Sequence, residues 1–136
     1  ILRNPQAVRP WQHVLEPLSG YLMLAQNIRE KKIKKQNQNW NFAPNISSCK
    51  SVLYLSKYFS KQLKLNIIIN KKSSKTFKTE TSILRLSNYK SKKFLKWHPK
   101  WSINKSLDKI LEWNEKVKKN KHATVCFQQI KDYIKD

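Results

Sequence analysis

Glycine occurs once in these 136 residues, at Gly20. A single glycine cannot build the glycine-rich turns that cradle phosphates in a P-loop or in a GxGxxG dinucleotide fingerprint, so neither motif is present in this segment. Acidic residues are scarce too, 8 against 29 lysines and arginines. They are scattered, and none is paired at a spacing that would set a general acid beside a base. Cys49 and Cys126 stand far apart without a CxxC pair, and His13, His98 and His122 have no neighbours at metal-ligand spacing. Both thiols are expected to be free, in a reducing compartment. No apolar run approaches the length of a membrane span, and no signal peptide is visible. No Ser/His/Asp arrangement emerges from spacing, so catalysis by these residues alone is not expected.

What the chain does have is charge: a formal +21 at pH 7, nearly all of it lysine. A selected polyanion-binding surface would produce this, and so would A/T-rich codon usage, which brings lysine together with asparagine, isoleucine, phenylalanine and tyrosine. Lysines cluster at Lys31–Lys35, Lys71–Lys75, Lys90–Lys93 and Lys116–Lys121, and Trp40, Trp97 and Trp101 could stack on bases. Those lysines lie on different elements, and a solvated polar face is the commoner origin of such a pattern. Five tryptophans argue for a packed core, and the length suits one modest domain.

Apolar periodicity predicts a mixed α/β order without internal repeats. Ile1 to Arg3 reads as the end of a strand. Glu16-Pro17 reads as a helix entry, with Leu18, Tyr21, Leu22, Ala25 and Ile28 forming the apolar face of a helix that runs towards Lys31–Lys35. Trp40 and Phe42 alternate with polar neighbours up to Pro44, which predicts a short strand. Ser51 precedes a helix with Val52, Leu55, Phe59 and Leu63 on one side, and Leu65 to Ile69 is strand-like. Lys71 to Thr79 is polar, and Ser82 to Leu86 reads as extended. A short helix is expected over Asn88–Leu95. Ser102 should cap a helix with the stripe Ile103, Leu107, Ile110, Asn114 and Val117, and the last helix should carry Phe127, Ile130 and Ile134. His98 reads as a turn residue and His122 as solvent-exposed.

The most specific string is RNPQAVRPWQHVLEPLSGYLMLAQ, Arg3 to Gln26. It resembles the sugar-nucleotide dehydratases of the extended short-chain dehydrogenase/reductase superfamily, and among them the CDP-glucose 4,6-dehydratase family. Trp40 to Pro44 (WNFAP) is similar to that family's WNFGP, Phe94 to Trp113 to its LGWxPxWxLxxAL…W, and Gln129 to Tyr133 to its final helix. The blocks follow family order and span nearly the whole chain, yet they correspond to less than half of such an enzyme, its C-terminal part.

The resemblance implies a fold class and a role. The fold is α/β: residues 1–136 form a single partial domain, the C-terminal substrate-binding lobe, and the Rossmann domain is largely missing from this chain. In relatives that missing domain binds NAD and carries the Tyr-x-x-x-Lys pair, so the chain on its own is expected to be inactive and to contain no catalytic, cofactor or metal residues. The parent activity is a lyase reaction, CDP-glucose to CDP-4-keto-6-deoxyglucose, which supplies deoxyhexoses for surface polysaccharide such as O-antigen. Another nucleotide-sugar dehydratase or epimerase is the nearest alternative, and a truncated copy acting as a basic polyanion-binding module is a different one. The expected partner is the nucleotide-sugar, in a cytoplasmic enzyme that oligomerises with itself; membrane and nucleic acid are not expected partners.

Residue by residue, the resemblance implies that Arg9, the arginine of an R-x-x-x-x-V pattern ending at Val14, contacts the substrate diphosphate. Glu80, upstream of the L-x-L segment at Leu84–Leu86, would contact the ribose, and Arg3 and Asn4 would approach the base. Trp11 and His13 are expected to pack and set the Arg9 loop. The chain departs from the pattern at Ala43 and Lys96, where the family has glycine, at Ser87 for its aspartate, and at Cys126 for the threonine expected to cap the last helix.

Overall fold

The computed structural model describes residues 1–33, 39–69 and 81–136. In chain order it has strand β1 (Val8–Pro10), helix α1 (Leu15–Arg29), strand β2 (Cys49–Ser51), and helices α2 (Val52–Leu63), α3 (Ile103–Lys118) and α4 (His122–Lys135). A 3-10 turn at Ile46–Ser48 leads into β2, and a π-helical turn at Ser91–Leu95 follows a single helical step at Tyr89–Lys90. Two serines start helices where the sequence places them. Ser51 Oγ accepts the Tyr54 N–H at 3.1 Å and Ser102 Oγ accepts that of Lys105 at 3.3 Å, each satisfying a backbone donor in the first turn.

The strands differ from expectation. β1 and β2 pair antiparallel with Arg9 opposite Lys50, and neither was legible as a strand. On the other side of β1, Val8 N donates to Ser82 O and Leu84 N to Val8 O, at 2.8 and 3.0 Å, so the Ser82–Leu84 segment docks parallel through one bridge. Leu2 and Ile69 form a second parallel bridge, which is all the sheet structure of the segments expected as strands at Ile1–Arg3 and Leu65–Ile69. Trp40 to Pro44 is not a strand. Phe42, Ala43 and Pro44 are buried consecutively, and the carbonyls here accept from side chains rather than from a ladder. Gln12 Nε2 reaches Phe42 O at 2.7 Å, Asn88 Nδ2 reaches Ala43 O at 2.8 Å, and Ser91 Oγ donates to Asn41 O.

Phe42, Leu95 and Trp97 form the core, with Met23, Leu24, Ile33 and Trp40 packed around them. Phe42 meets Tyr21 and Trp97 edge-on, at centroid separations of 5.4 and 5.2 Å. Burying an aromatic as completely as Trp97 removes roughly 200 Å² from water and contributes on the order of several kcal/mol. α3 and α4 pack as an antiparallel hairpin, joined by the Gln129 Nε2 bond to Lys109 O at 2.8 Å.

Two helices turn the opposite way from their apolar stripes. α1 buries Glu16 and Gly20 and exposes Leu18, Tyr21, Leu22 and Ile28. α4 buries Val125, Gln129 and Tyr133 and exposes Phe127, Ile130 and Ile134. α3 buries Ile103 and Leu107 as expected but leaves Ile110 exposed, and α2 has no fully buried residue. Cys126 does not cap α4, because that helix begins four residues earlier, at His122.

Lysine stands in for glycine at the helix ends. Lys31, Lys64, Lys96 and Asn120 all adopt left-handed backbone, with φ between 53° and 58°, after α1, α2, the π-helical turn and α3. The glycine-like position at Lys96 is therefore a real conformational demand, whereas Ala43 is buried and outside the left-handed region.

Candidate functional site

The stretch from Arg9 to Glu16 folds as a set of anchors, each gripping a different part of the chain. Arg9, on β1, donates from Nη1 to the Val8 and Thr81 carbonyls at 2.8 and 2.9 Å. Trp11 Nε1 donates to Lys50 O at 2.9 Å, beside the β1–β2 seam. Gln12 holds the Trp40–Pro44 segment through Phe42 O. His13 is buried against the Trp101 ring, with centroids 4.9 Å apart, and its Nδ1 accepts the N–H of Leu15, the first residue of α1, at 3.3 Å. Burial, and then the nearby Lys109 ammonium, hold the His13 pKa below its ordinary value.

Glu16 is the deepest of these anchors, with no solvent exposure. Its two carboxylate oxygens accept from Lys100 N at 3.1 Å, Trp101 N at 2.7 Å and the Tyr133 hydroxyl at 2.7 Å. Ser19, one turn along, donates to Glu16 O, accepts from Trp97 Nε1 at 2.9 Å and lies 3.0 Å from the Tyr133 hydroxyl. Burial above all, with the Glu16 carboxylate, pushes the Tyr133 phenol up from its usual value. A buried carboxylate needs such a complete donor set, and here that set ties α1, the Trp97–Ser102 loop and α4 together.

The β1 seam carries Arg9, one of the expected ligand residues. Arg9 and Lys50 are register partners of an antiparallel pair, which puts both cations on the same face. Arg9 also reaches Thr81, the residue after Glu80; Glu80 itself lies outside the described residues. Arg3 is exposed and Asn4 half-buried on the approach to β1, with Asn4 O accepting from Ala7 N at 3.3 Å. The carbonyl bonds make Arg9 an organiser of this seam whatever else it binds. His98 and His122 are exposed and apart from it, and among the described residues no three His, Cys, Asp or Glu side chains converge as a metal site.

Sequence reasoning did not find Lys50 or Glu16. Lys50 emerges only from the strand register. Glu16 had a signal in the sequence, as one of just eight acids, placed three residues after His13 in the most specific string of the chain.

With that geometry in place, comparison with known proteins gives one clear likeness. The chain is similar to CDP-glucose 4,6-dehydratase of Salmonella typhimurium, at 31% identity. The match covers 98% of this chain and 37% of the relative, so the chain spans little more than a third of that protein's length. No protein-family model matches. The likeness runs through the anchors of β1 and α1, through Trp40–Pro44 and through the α3–α4 hairpin, because it takes in nearly every residue described. No helix among the described residues is long and apolar enough to cross a membrane.

Proposed function

We propose that this chain is the nucleotide-gripping lobe of a sugar-nucleotide 4,6-dehydratase acting on CDP-glucose and yielding CDP-4-keto-6-deoxyglucose. The observation that carries the reading is the 31% identity to a CDP-glucose 4,6-dehydratase across 98% of the chain. The β1 seam supports it physically, since a guanidinium and an ammonium on one face suit the two phosphates of a nucleotide diphosphate. In this reading Arg9 and Lys50 take the diphosphate, Glu80 the ribose, and Arg3 and Asn4 the side of the base. The Trp11, Gln12, His13 and Glu16 anchors hold that face in place without touching the ligand.

The parent chemistry uses NAD, and the described residues do not fit a dinucleotide. The one glycine lies inside α1 against the Phe42 ring, so neither strand-to-helix connection among the described residues, β1 to α1 or β2 to α2, carries the glycines of a phosphate cradle. The reading assigns NAD and the catalytic groups to residues outside this segment, so the purified 136-residue chain should not turn over CDP-glucose.

Titration calorimetry with CDP-glucose tests the assignment. We expect saturable binding that weakens about 10- to 100-fold in Arg9→Ala, the scale of a lost charge-assisted phosphate contact. Arg9→Lys should recover part of it. Because Arg9 also holds Thr81 O, Lys50→Ala provides a second variant without that anchoring bond. Failure to bind CDP-glucose, together with steeply salt-dependent binding to arbitrary duplex DNA, would favour the polyanion-binding module that the +21 charge also permits.

A further inference from the structure

We propose that the cleft between the start of α1 and the α3–α4 hairpin is a binding site for a small, neutral aromatic ligand carrying one hydroxyl or amide group, a phenol being the simplest case. The cleft encloses about 350 Å³, within the range of small-molecule pockets, and its walls are mostly apolar. Ile110 and Trp113 of α3 line it together with Ile130 and the exposed Cys126 of α4.

Two polar residues distinguish this cleft from a merely greasy surface. His13 and Gln129 both line it and are 5% and 4% exposed. His13 Nδ1 accepts from Leu15 N, so the ring proton sits on Nε2, and among the described residues no acceptor meets it. Gln129 uses its Nε2 on Lys109 O, which leaves its carbonyl oxygen without a donor among the described residues. Unlike Gln12 Oε1 and Ser106 Oγ, which are sealed without partners among the described residues, both atoms keep some contact with solvent, and both residues line the cleft. One donor and one acceptor on residues that line an apolar cavity match a group that both accepts and donates. Lys109, the cation whose charge acts on His13, is already paired with Asp132 and Glu112 at 2.7 and 3.1 Å, so the site favours a ligand without net charge.

The test exploits an isosteric pair. Phenol and toluene differ by a hydroxyl in place of a methyl, and an apolar cleft without usable polar atoms prefers toluene. Binding is read as protection of Cys126 from iodoacetamide, followed by mass spectrometry of the intact chain, with half-buried Cys49 on β2 as the internal control. We expect phenol to protect Cys126 saturably in the millimolar range, with a half-saturation about fivefold or more below that of toluene, the value of one net hydrogen bond. Cys49 should be unaffected. Filling the cleft with Ile130→Trp should abolish protection. Ile110→Trp, on the facing helix and equally exposed, is the second variant should the first fail to fold. Toluene binding as well as or better than phenol would overturn the proposal, as would the absence of protection by phenol. So would Cys126 reactivity that falls with protein concentration alone, which would mean that a second copy covers the cleft.

Discussion

Replacing Gly20 with alanine sets two well-known effects against each other, and the structure decides the sign. In a solvent-exposed helix interior the change would stabilise by about 1 kcal/mol, because glycine loses more backbone freedom on folding. At Gly20 the new Cβ would lie 2.2, 2.5 and 2.6 Å from Cδ1, Cε1 and Cγ of Phe42. Comfortable carbon–carbon contact is about 3.5–4.0 Å, so the ring would have to retreat by roughly 1 Å or more. The retreat is obstructed, because Tyr21 and Trp97 clamp the ring edge-on and Gln12 holds the Phe42 carbonyl. Moving Cγ takes a change in the Phe42 χ1 angle or a shift of the backbone at residues 41–43. Overpacking of this kind costs about 1–3 kcal/mol, here at the upper end, and the net expectation is a loss of about 2 kcal/mol. Urea unfolding followed by far-ultraviolet circular dichroism measures it, as a lower midpoint at unchanged slope. In a Phe42→Ala background the obstacle is gone, and the same Gly20→Ala change should stabilise by up to about 1 kcal/mol. If Gly20→Ala is neutral or stabilising with Phe42 in place, the packing argument is wrong.

Three further outcomes follow from other features. Glu16→Gln exchanges an acceptor oxygen for an NH₂ group among three buried donors, and should cost about 2–3 kcal/mol in the same urea assay, with faster hydrogen exchange at the Lys100 and Trp101 amides. Lys96→Gly should stabilise by about 1 kcal/mol and raise Tm, since φ of 58° burdens any side chain there; a lower Tm would show that the lysine itself is needed. Tyr58 donates its hydroxyl to Asp108, and that bond, followed by burial and the aspartate charge, pushes its pKa from 10.0 up to about 12. The contribution of the α2–α3 clasp is therefore whole below pH 10 and is lost as the pH climbs towards 12; Tyr58→Phe should flatten stability across that window and remove one late step from the tyrosinate absorbance titration.

What the sequence made legible was local. Ser51 and Ser102 carry their reason with them, because a hydroxyl just before a helix has an obvious donor to satisfy. The demand for left-handed backbone at Lys96 was legible from the resemblance. The facing of α1 and α4 was not. Both carry apolar stripes that would turn inward in an average domain, yet the buried side is chosen by Glu16, Ser19, Gln129 and Tyr133, which find their partners on distant segments. Pairing of polar groups over such separations has no signature in hydrophobic periodicity. The same holds for Lys50, which a three-residue strand register brings beside Arg9.

The Glu16 carboxylate also sets an order of events in time. Its partners stand 84, 85 and 117 positions further along the chain, so none of them exists when α1 leaves the ribosome. Until Lys100, Trp101 and Tyr133 have been synthesised, the Glu16 carboxylate lacks its full set of donors, and that end of α1 cannot be buried as it is in the finished fold. The most buried carboxylate among the described residues thus makes the finished fold conditional on the last few residues of the described chain, and refolding should be governed by this long closure rather than by the helices it joins.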